Sequence, residues 1–567
     1  MPLKDNKVYL TVRSFLDIFV QRLKVFDLFL QGAFLIVIIL QSNVYLLLKR
    51  DAREGYHSGR IGDYVMIGSG SMEFLVGAAV AWWGRGRRQL ALAFWLAVTS
   101  VAGLLVLAFP YIKASPAEVE LCGGHPIGRI LATPTVDNNV TLRTTFLIIT
   151  ALLSSITKLS VWAHGLTYLD DHDPANGPYF YGILISIRLS LGLSATSWLA
   201  ASSVRDDWWQ AHLSLCMLTL MFAILFSLFP TKMESFKEVD EARNGGADTS
   251  FIPTLGRLVR NKALVTQTVS VACLTTAVFV YVQYDEAYIQ ARYHVEAIRQ
   301  DPRTSRVLPE IFRSLVIIFF VMIFRVRFSA RRPDGVKSNT ASRVAGVVAV
   351  FVAIFFAALA ATGCNTGDMD GLEGSYQQPA CSRSCWCNSE RYGFSPVCSL
   401  DTRVTSFSPC HAGCTDYEDL NGFLLYKNCS CSTDTLRAVR GACQLNSCRL
   451  AYSIYQVVFV LMLAVAGACF LMQGMAVIRS VRPADKATAV GASLATVALL
   501  SFVIGQLIYM FISYQTCAYS SHGACLLHTP TLWVACATSA GLAVMAAIAS
   551  LVASRMPTDV VEPTTIL

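Results

Sequence analysis

Apolar runs long enough to cross a lipid bilayer recur along nearly the whole chain, and they constrain the fold more than any other feature. A transmembrane helix needs about 20 mostly apolar residues to cross the roughly 30 Å hydrocarbon core. The 567-residue chain is 54% hydrophobic and only 15% charged, whereas an average soluble domain is about 25% charged. The sequence therefore predicts an all-α membrane protein with twelve transmembrane helices. The predicted spans are residues 26–48, 64–83, 89–111, 144–166, 178–203, 208–230, 263–289, 307–328, 343–362, 451–478, 487–513 and 530–553.

Lysine and arginine residues concentrate in alternate connections between the predicted spans, and this sets the expected orientation. Cytoplasmic loops carry an excess of these cations. They cluster in the first 25 residues and after spans 2, 6, 8 and 10, so both termini are expected in the cytoplasm. The connection after span 1 is an exception. The net charge of +8 follows from this distribution, and it does not indicate nucleic-acid binding because no aromatic residues are interleaved.

Fourteen of the eighteen cysteines fall in connections predicted to lie outside the cell, eleven of them between spans 9 and 10. An even number in an oxidising compartment indicates disulfides. A zinc site is the alternative, but Cys385–Cys387 and Cys429–Cys431 are C-x-C pairs without accompanying histidine pairs. We therefore expect no metal and no cofactor. The cysteines predicted to form disulfides are Cys364, Cys381, Cys385, Cys387, Cys398, Cys410, Cys414, Cys429, Cys431, Cys443, Cys448, Cys517 and Cys525; Cys122 is the fourteenth on the predicted outer side, so complete pairing is possible.

The cysteine-rich connection predicts a small extracellular domain. It has too little apolar sequence for a core of its own, so its disulfides are expected to supply the stability. Two glycosylation sequons, at Asn139 and Asn428, fall on the same predicted outer side and agree with the orientation.

Several motifs resemble one family of membrane proteins. The segments PVCSLDTRVTSFSPCHAGC (396–414) and YKNCSCS (426–432) resemble the Kazal-like extracellular domain of organic anion transporting polypeptides. Similar segments of that family match LTYLDDHDPANGPYFYGILISIRL (166–189), LFPTKM (228–233), WWGRGRR (82–88), IRSVRPADKATAVG (478–491) and CAYSSHGAC (517–525). The family's WWxGFL motif is altered to WWQAHL (208–213), and its charges near the outer end of span 7 are displaced. The chain is identified as a divergent member.

The resemblance implies the major facilitator fold, in which two six-helix halves rock about a site near the bilayer midplane. The linker between the halves has mixed charges and a Gly-Gly pair, which predict some amphipathic helix. The expected segments are a cytoplasmic tail (1–25), an N-terminal half (26–230), a cytoplasmic linker (231–262), a C-terminal half (263–553) containing the Kazal-like insertion (364–448), and a cytoplasmic tail (554–567).

The resemblance also implies sodium-independent transport of amphipathic organic anions across the plasma membrane by alternating access. The implied substrates are steroid conjugates, bile-salt-like compounds, prostaglandins, thyroid hormones and ecdysteroids. The alternative is a multi-span scaffold or receptor whose ectodomain binds or inhibits an extracellular protein, although buried charges would be needless in an anchor. No enzyme activity is expected, because the chain lacks a P-loop, a G-x-S-x-G elbow and an H-E-x-x-H motif.

Ionisable residues inside predicted spans mark candidate sites, because a charge within the bilayer is costly. We favour Arg188 as the substrate-binding cation; its alternative role is an ion pair with Glu73 or Asp63. Lys158 either meets the anion or snorkels to the surface. The predicted substrate-binding residues are Arg188, Lys158, Tyr181, Trp198, Tyr284, His212 and Arg313. The predicted gating or ion-pair residues are Glu73, Asp63, Arg85, Asp170 and Asp171.

Two of these assignments have structural alternatives, and one further motif suggests a partner. His212 either couples transport to protons or is a hydrogen-bonded core histidine, and Arg313 either binds substrate or lies at the membrane interface. The C-terminal PTTIL (563–567) suits a PDZ groove by strand addition. The expected partners are membrane lipid, an organic anion and a PDZ protein, but no nucleic acid.

Overall fold

The computed structural model describes most of the chain. The described residues are 22–53, 60–109, 120–123, 138–193, 208–231, 250–294, 307–329, 336–364, 369–373, 375–420, 423–443, 445–521 and 524–557. We use N-half for the described residues before 232 and C-half for those after 249. The C-terminal motif lies outside the described residues.

Long apolar helices form the body of the molecule. Within the described ranges, ten helical segments are long and apolar enough to cross a membrane, and each overlaps a predicted span. Large apolar side chains on their outer faces are exposed, as expected of lipid-facing surface; Leu75, for example, is 74% exposed. The other two predicted spans correspond to shorter or partly described helices. The described helix in 178–203 is Gly177–Leu189. The helix in 307–328 is Val307–Ser329, and its apolar part is Ile311–Phe324.

The helices are numbered here in chain order. Those of the N-half are α1 (Leu23–Arg53), α2 (Ile61–Trp83), α3 (Arg88–Val106), α4 (Asn138–Ser160), α5 (Thr167–His172), α6 (Gly177–Leu189) and α7 (Trp208–Ser227). Those of the C-half are α8 (Phe251–Arg260), α9 (Lys262–Thr275), α10 (Tyr281–Tyr293), α11 (Val307–Ser329), α12 (Ser338–Ala361), α13 (Ser389–Tyr392), α14 (Leu445–Arg479), α15 (Lys486–Ala498), α16 (Gln506–Gln515) and α17 (Trp533–Ala553).

Three long helices contain a π-helical segment, which joins two α-helical parts. These segments are Val161–Leu166 between α4 and α5, Thr276–Val280 between α9 and α10, and Leu499–Gly505 between α15 and α16. Because π segments are uncommon and concentrate at functional sites, the side chains around them are of particular interest.

Helices α2 and α15 pack closely against each other across the boundary between the halves. A Cβ built at Gly77 would lie 2.6 Å from Leu159 Cδ1 and 3.1 Å from Ala495 Cβ, and one at Gly491 would overlap the Cβ of Ala81. Small residues allow helix backbones to approach in a membrane, where packing replaces the hydrophobic effect. Close packing thus aligns α2, which carries Glu73, against the C-half.

The cysteine-rich region forms a five-stranded antiparallel sheet, in the order β4-β3-β7-β6-β5. Contrary to the expectation from composition, it has a small core of Val397, Ala412, Tyr426 and Ala438, completed by the cystine of Cys414 and Cys429. Two short hairpins lie beside it. The strands are β1 (Leu372–Glu373), β2 (Ser375–Tyr376), β3 (Val397–Ser399), β4 (Thr405–Ser406), β5 (Asp416–Leu420), β6 (Phe423–Lys427), β7 (Arg437–Arg440), β8 (Cys517–Ser521) and β9 (Ala524–His528).

Disulfides fasten this region to both halves. Cys364–Cys448 joins its two ends beside α12 and α14, and Cys122–Cys385 attaches it to the N-half loop that follows α3. The other pairs are Cys381–Cys431, Cys387–Cys410, Cys398–Cys443, Cys414–Cys429 and Cys517–Cys525. The thirteen cysteines predicted in disulfides therefore all pair, and Cys122, the fourteenth on the predicted outer side, is the partner of Cys385. We call this side of the bundle the disulfide end and the opposite side the ion-pair end.

Candidate functional site

A group of charged and aromatic side chains meets in the middle of the bundle. This central cluster consists of Glu73 on α2, Lys158 on α4, Arg188 and Tyr181 on α6, and Phe279 in the π segment before α10. Glu73 interacts electrostatically with Lys158 and Arg188. The guanidinium of Arg188 lies over the ring of Phe279, 4.3 Å from its centroid. Three N-half helices and one C-half helix thus supply the cluster.

Both cations of the central cluster remain available to a ligand. Lys158 and Arg188 are half-buried although they lie deep in helices, and in the part of the chain described neither forms a direct ion pair. One carboxylate and two cations leave a net charge of about +1, which a single organic anion would balance.

Aromatic side chains form one wall of the central cluster. The ring of Tyr181 packs against Trp162, with centroids 4.9 Å apart. It also lies against Gly474 of α14, where a Cβ would overlap the phenol ring, so glycine is required for this contact between halves. An apolar and aromatic wall with a few charged groups suits an amphipathic ligand.

A second polar contact joins the halves nearer the disulfide end. Asp63 precedes Glu73 by ten residues on α2, about 15 Å along the helix axis. Its carboxylate accepts a hydrogen bond from Gln506 Nε2 at 3.1 Å, and the same amide also donates to the hydroxyl of Tyr284 at 3.2 Å. The ring of Tyr284 stacks on Tyr509, with centroids 5.7 Å apart.

A buried ion-pair network joins the halves at the ion-pair end. Asp170 is fully buried, and its carboxylate accepts from Arg479 at 2.7 and 3.1 Å and from Lys486 at 2.6 Å. The neighbouring Asp171 accepts from Lys486 at 2.9 Å and from Arg88 at 2.6 Å. Charge-assisted and bidentate bonds of this kind are the strongest in proteins.

The local sequence explains how the acidic pair is presented. Asp173 directly follows α5 and accepts a hydrogen bond from the backbone N–H of Asn176 at 3.3 Å. Pro174 then occupies the first position of a short 3₁₀ turn. The carbonyl of Pro174 accepts from Arg479 at 2.8 Å. Gly177 then begins α6, where a Cβ would collide with Asp170. The turn, the proline and the glycine together hold the acidic pair against the C-half.

His212 lies in a closed environment, away from the central cluster. It is fully buried, its Nδ1 lies 3.0 Å from the amide nitrogen of Asn43, and its Nε2 lies 2.9 Å from the carbonyl oxygen of Gly103. A neutral imidazole satisfies both contacts, donating to the carbonyl and accepting from the amide. This geometry corresponds to the structural alternative for His212.

The remaining predicted residues are dispersed. The guanidinium of Arg85 lies 4.8 Å from the ring centroid of Trp82 at the ion-pair end, and Arg313 is half-buried on α11. Asn428 is exposed at a left-handed backbone position beside β6. Trp198 lies outside the described residues, as does the side chain of Asn139.

The partners of the predicted residues were not assigned from the sequence. Phe279 and Gln506 looked like ordinary members of apolar spans. Arg479 and Lys486 belong to the basic connection after span 10, and the motif IRSVRPADKATAVG contains both. Their spacing of seven residues across a proline-containing turn was the available signal.

Two side-chain groups have the composition of a metal site, but their cysteines are oxidised. They are Glu120 with Cys387 and Cys410, and Asp370 with Cys381 and Cys431. In each group the two cysteines form a disulfide with each other, and disulfide sulfurs lack the thiolate that binds zinc. Neither group fits a metal ion.

Glu120 instead docks the loop after α3 onto the cysteine-rich region. Its carboxylate accepts from the backbone N–H of Asn388 and from Ser408 Oγ at 3.4 Å, while the backbone N–H of Cys122 donates to Cys414 at 2.7 Å. Burial raises the pKa of the Glu120 carboxyl to about 7. Ser408 also contacts His411 Nδ1 at 2.8 Å; burial lowers the pKa of that imidazole to about 4.

We expect this docking to weaken as the pH rises through about 7. Between about pH 4.5 and 7 the docked Glu120 keeps a proton that the free carboxyl has released, so docking loses up to about 3 kcal/mol of free energy as the pH rises across that range, and the loss is complete well above pH 7. His411 acts in the opposite sense below about pH 6.5, so only Glu120 contributes between about pH 6.5 and 8. Amide exchange at Cys122, corrected for intrinsic rates, should lose protection across this window in the wild type and remain constant in Glu120→Gln. Equal pH dependence of the two proteins would contradict the assignment.

A helical bundle with available cations at its centre, and with separate contacts between its halves toward each end, defines a multi-pass membrane protein of the transporter type. The model of the Organic Anion Transporter Polypeptide (OATP) family matches residues 64–530. The chain therefore belongs to this family, which is one of transporters and not of enzymes.

Individual relatives match over shorter stretches. Solute carrier organic anion transporter family member 2B1 of Homo sapiens is 28% identical over 170 residues, 28% of this chain and 23% of that protein. Member 74D of Drosophila melanogaster is 28% identical over 183 residues, covering 30% and 22%, and member 2B1 of Rattus norvegicus is 32% identical over 162 residues, covering 27% and 23%. These alignments span less than a quarter of the length of the relatives. Among solved structures, the major facilitator proton:xylose symporter XylE has a TM-score of 0.48 at 10% identity, with 93% of this chain and 95% of that chain covered.

Proposed function

We propose that the chain is a sodium-independent plasma-membrane transporter of amphipathic organic anions that works by alternating access. The observation that carries this proposal is the central cluster, in which Arg188 and Lys158 remain partly accessible between the halves and Arg188 lies 4.3 Å from the Phe279 ring. Steroid conjugates, bile-salt-like compounds, prostaglandins and thyroid hormones have the amphipathic anionic character that the cluster would select, and ecdysteroids share the apolar body without the charge. Family membership supports the same class.

The proposed topology has twelve spans in two six-helix halves, a Kazal-like ectodomain and cytoplasmic termini. The disulfide end would face outward, because disulfides form in oxidising compartments. The ion-pair end, rich in lysine and arginine, would face the cytoplasm. A PDZ protein at the C-terminus remains a prediction of the sequence alone.

The contacts between the halves support alternating access. Toward the disulfide end, Gln506 links Asp63 and Tyr284 through a neutral amide. At the ion-pair end, charge-assisted bonds to Asp170 and Asp171 close the bundle. Several bonds between oppositely charged groups hold the ion-pair end, whereas one uncharged donor meets Asp63 at the other end, so the disulfide end would open first from this conformation.

Uptake by cells expressing the wild type tests this function directly. Labelled estrone sulfate and taurocholate are expected to enter saturably and without sodium, whereas an uncharged ecdysteroid should enter less readily. Arg188→Ala should lower anion uptake by at least about tenfold at matched surface level, since a hydrogen bond to a charged group is worth about 1.5–3 kcal/mol. Arg87→Ala is the matched control, because Arg87 is exposed at the ion-pair end.

The outcomes separate the function from the residue assignment. Failure of every anion to enter wild-type cells despite good surface expression would contradict anion transport. Normal uptake by Arg188→Ala would leave transport intact and assign the anion to Lys158. The scaffold alternative predicts no uptake and full binding of an extracellular protein; the charges buried throughout the bundle argue against it.

A further inference from the structure

The short helix α8 (Phe251–Arg260) contacts both halves at the ion-pair end. Its first residue, Phe251, packs edge-on against Trp82 of α2, with ring centroids 5.6 Å apart. Near its other end, Leu258 is buried in an apolar cluster of the C-half, and Arg257 pairs with Asp485 at 3.2 Å. One side of the helix is therefore fixed to the protein.

A second side of α8 is apolar and uncovered within the part of the chain described. Ile252 and Val259 are 79% and 66% exposed. Seven residues separate them, so they point in nearly the same direction, and half-buried Leu255 lies on the same flank. A helix with a narrow apolar stripe beside a basic flank is typical of one that lies in the plane of a membrane interface.

Two neighbouring features place α8 at the depth of the lipid headgroups. Asn261 alone separates it from α9, which begins the membrane-capable segment Lys262–Tyr293. Trp82 ends α2 together with Trp83, which is 61% exposed, and exposed tryptophans at span ends mark the membrane interface. The apolar stripe therefore lies where the spans α2 and α9 leave the hydrocarbon.

Basic side chains follow this stripe at the C-terminal end of α8 and stand at the end of the neighbouring helix α17. Arg260 and Lys262 are exposed, and in the described ranges neither has an ion-pair partner. Arg555, also exposed, follows α17, whose end reaches α9 through the contact of Met556 with Thr266 at 3.8 Å. Asp485 is an acidic residue that contacts α8, and its carboxylate already pairs with Arg257.

We propose that α8 lies in the membrane interface with Ile252 and Val259 inserted among the lipids, and that Arg260 and Lys262, with Arg555, bind anionic phospholipid headgroups. The stripe is too small for a stable protein interface, which buries on the order of 800 Å² per partner. Its depth and its flanking cations instead match the polar and charged boundary of a bilayer. The proposal requires only that the bundle spans a membrane and does not depend on what it transports.

A fluorescent label reports whether the stripe touches lipid. The purified full chain carrying Ile252→Cys or Val259→Cys, labelled with bimane and placed in nanodiscs, should be quenched by doxyl-labelled phospholipid and protected from iodide. Ala484→Cys, exposed in the turn before α15 at the same end, is the control and should show the reverse. The unsubstituted chain gives the background from the free cysteines within the spans. Quenching of positions 252 and 259 by iodide alone would overturn the proposal.

A charge-removal series tests the headgroup contact. Adding phosphatidylserine to phosphatidylcholine nanodiscs should raise the melting temperature of the wild type, because a ligand that binds only the folded state stabilises it. The double variant Arg260→Gln/Lys262→Gln should bind phosphatidylserine about 25-fold more weakly, because each cation near an anionic surface strengthens binding by about fivefold. Arg482→Gln, an exposed arginine on the neighbouring turn, should keep the wild-type response. An unchanged response of the double variant would refute the cation assignment.

Discussion

Asp170→Asn is expected to abolish transport and to open the ion-pair end of the bundle. The substitution leaves Arg479 and Lys486 buried without the carboxylate that now bonds both, and breaking a buried pair by removing one partner costs about 3–5 kcal/mol. Uptake at matched surface level measures the first effect. Thiol labelling of Met475→Cys measures the second, because Met475 is fully buried in this structure and would become accessible when that end opens.

Two neighbouring carboxylates provide graded controls. Asp171→Asn should have a smaller effect, because the Asp171 side chain is 28% exposed whereas that of Asp170 is 1% exposed. Asp173→Asn should be nearly neutral, since the contacts of Asp173 lie within its own turn. Wild-type uptake by Asp170→Asn, or a Met475→Cys thiol that stays unreactive in that background, would show that the network does not hold the halves together.

The helical framework could be predicted from the sequence because its cause is local. Twenty apolar residues must form a helix in lipid to satisfy their own backbone groups, and ten predicted spans overlap membrane-capable helices. Pairing of the cysteines was also predictable, from an even count on one side of the membrane. Which cysteine meets which was not, because Cys122 and Cys385 are 263 residues apart and only tertiary structure brings them together.

The residues of the candidate site also divide into those that the sequence identifies and those that only the structure identifies. Arg188 and Lys158 stand out as costly charges in apolar spans, so the sequence identifies them without any partner. Phe279 does not stand out, because a phenylalanine in an apolar span is ordinary; a π segment turns it toward Arg188. His212 shows the converse, since a buried titratable group attracts attention although Asn43 and Gly103 satisfy it.

Gly491→Leu is expected to eliminate transport and to lower the melting temperature strongly. A Cβ at this position would overlap the Cβ of Ala81 and lie 3.1 Å from the carbonyl oxygen of Gly77. Neither obstacle is a flexible side chain, so α2 and α15 would have to separate, at a cost above the ~1–3 kcal/mol typical of an overpacked core. Separation would move α2, and with it both Glu73 and Asp63, which lie ten residues apart on that helix. It would also move Lys486, which begins α15. Thermal unfolding of the purified chain and uptake at matched surface level measure both effects.

Gly541 provides a matched test of whether the effect comes from this contact or from any leucine in a span. It is exposed on α17. A Cβ added at this position would meet no heavy atom within 4 Å outside the backbone of its own helix turns and its chain neighbours. Gly541→Leu should therefore retain transport and gain slightly in stability, because glycine in a helix interior costs about 0.5–1 kcal/mol relative to alanine. Equal losses in the two variants would mean that leucine is harmful for a reason unrelated to the α2–α15 contact. A loss confined to Gly491→Leu would establish that transport and stability depend on the close approach of α2 and α15. This approach brings α2, which carries Glu73, against the C-half.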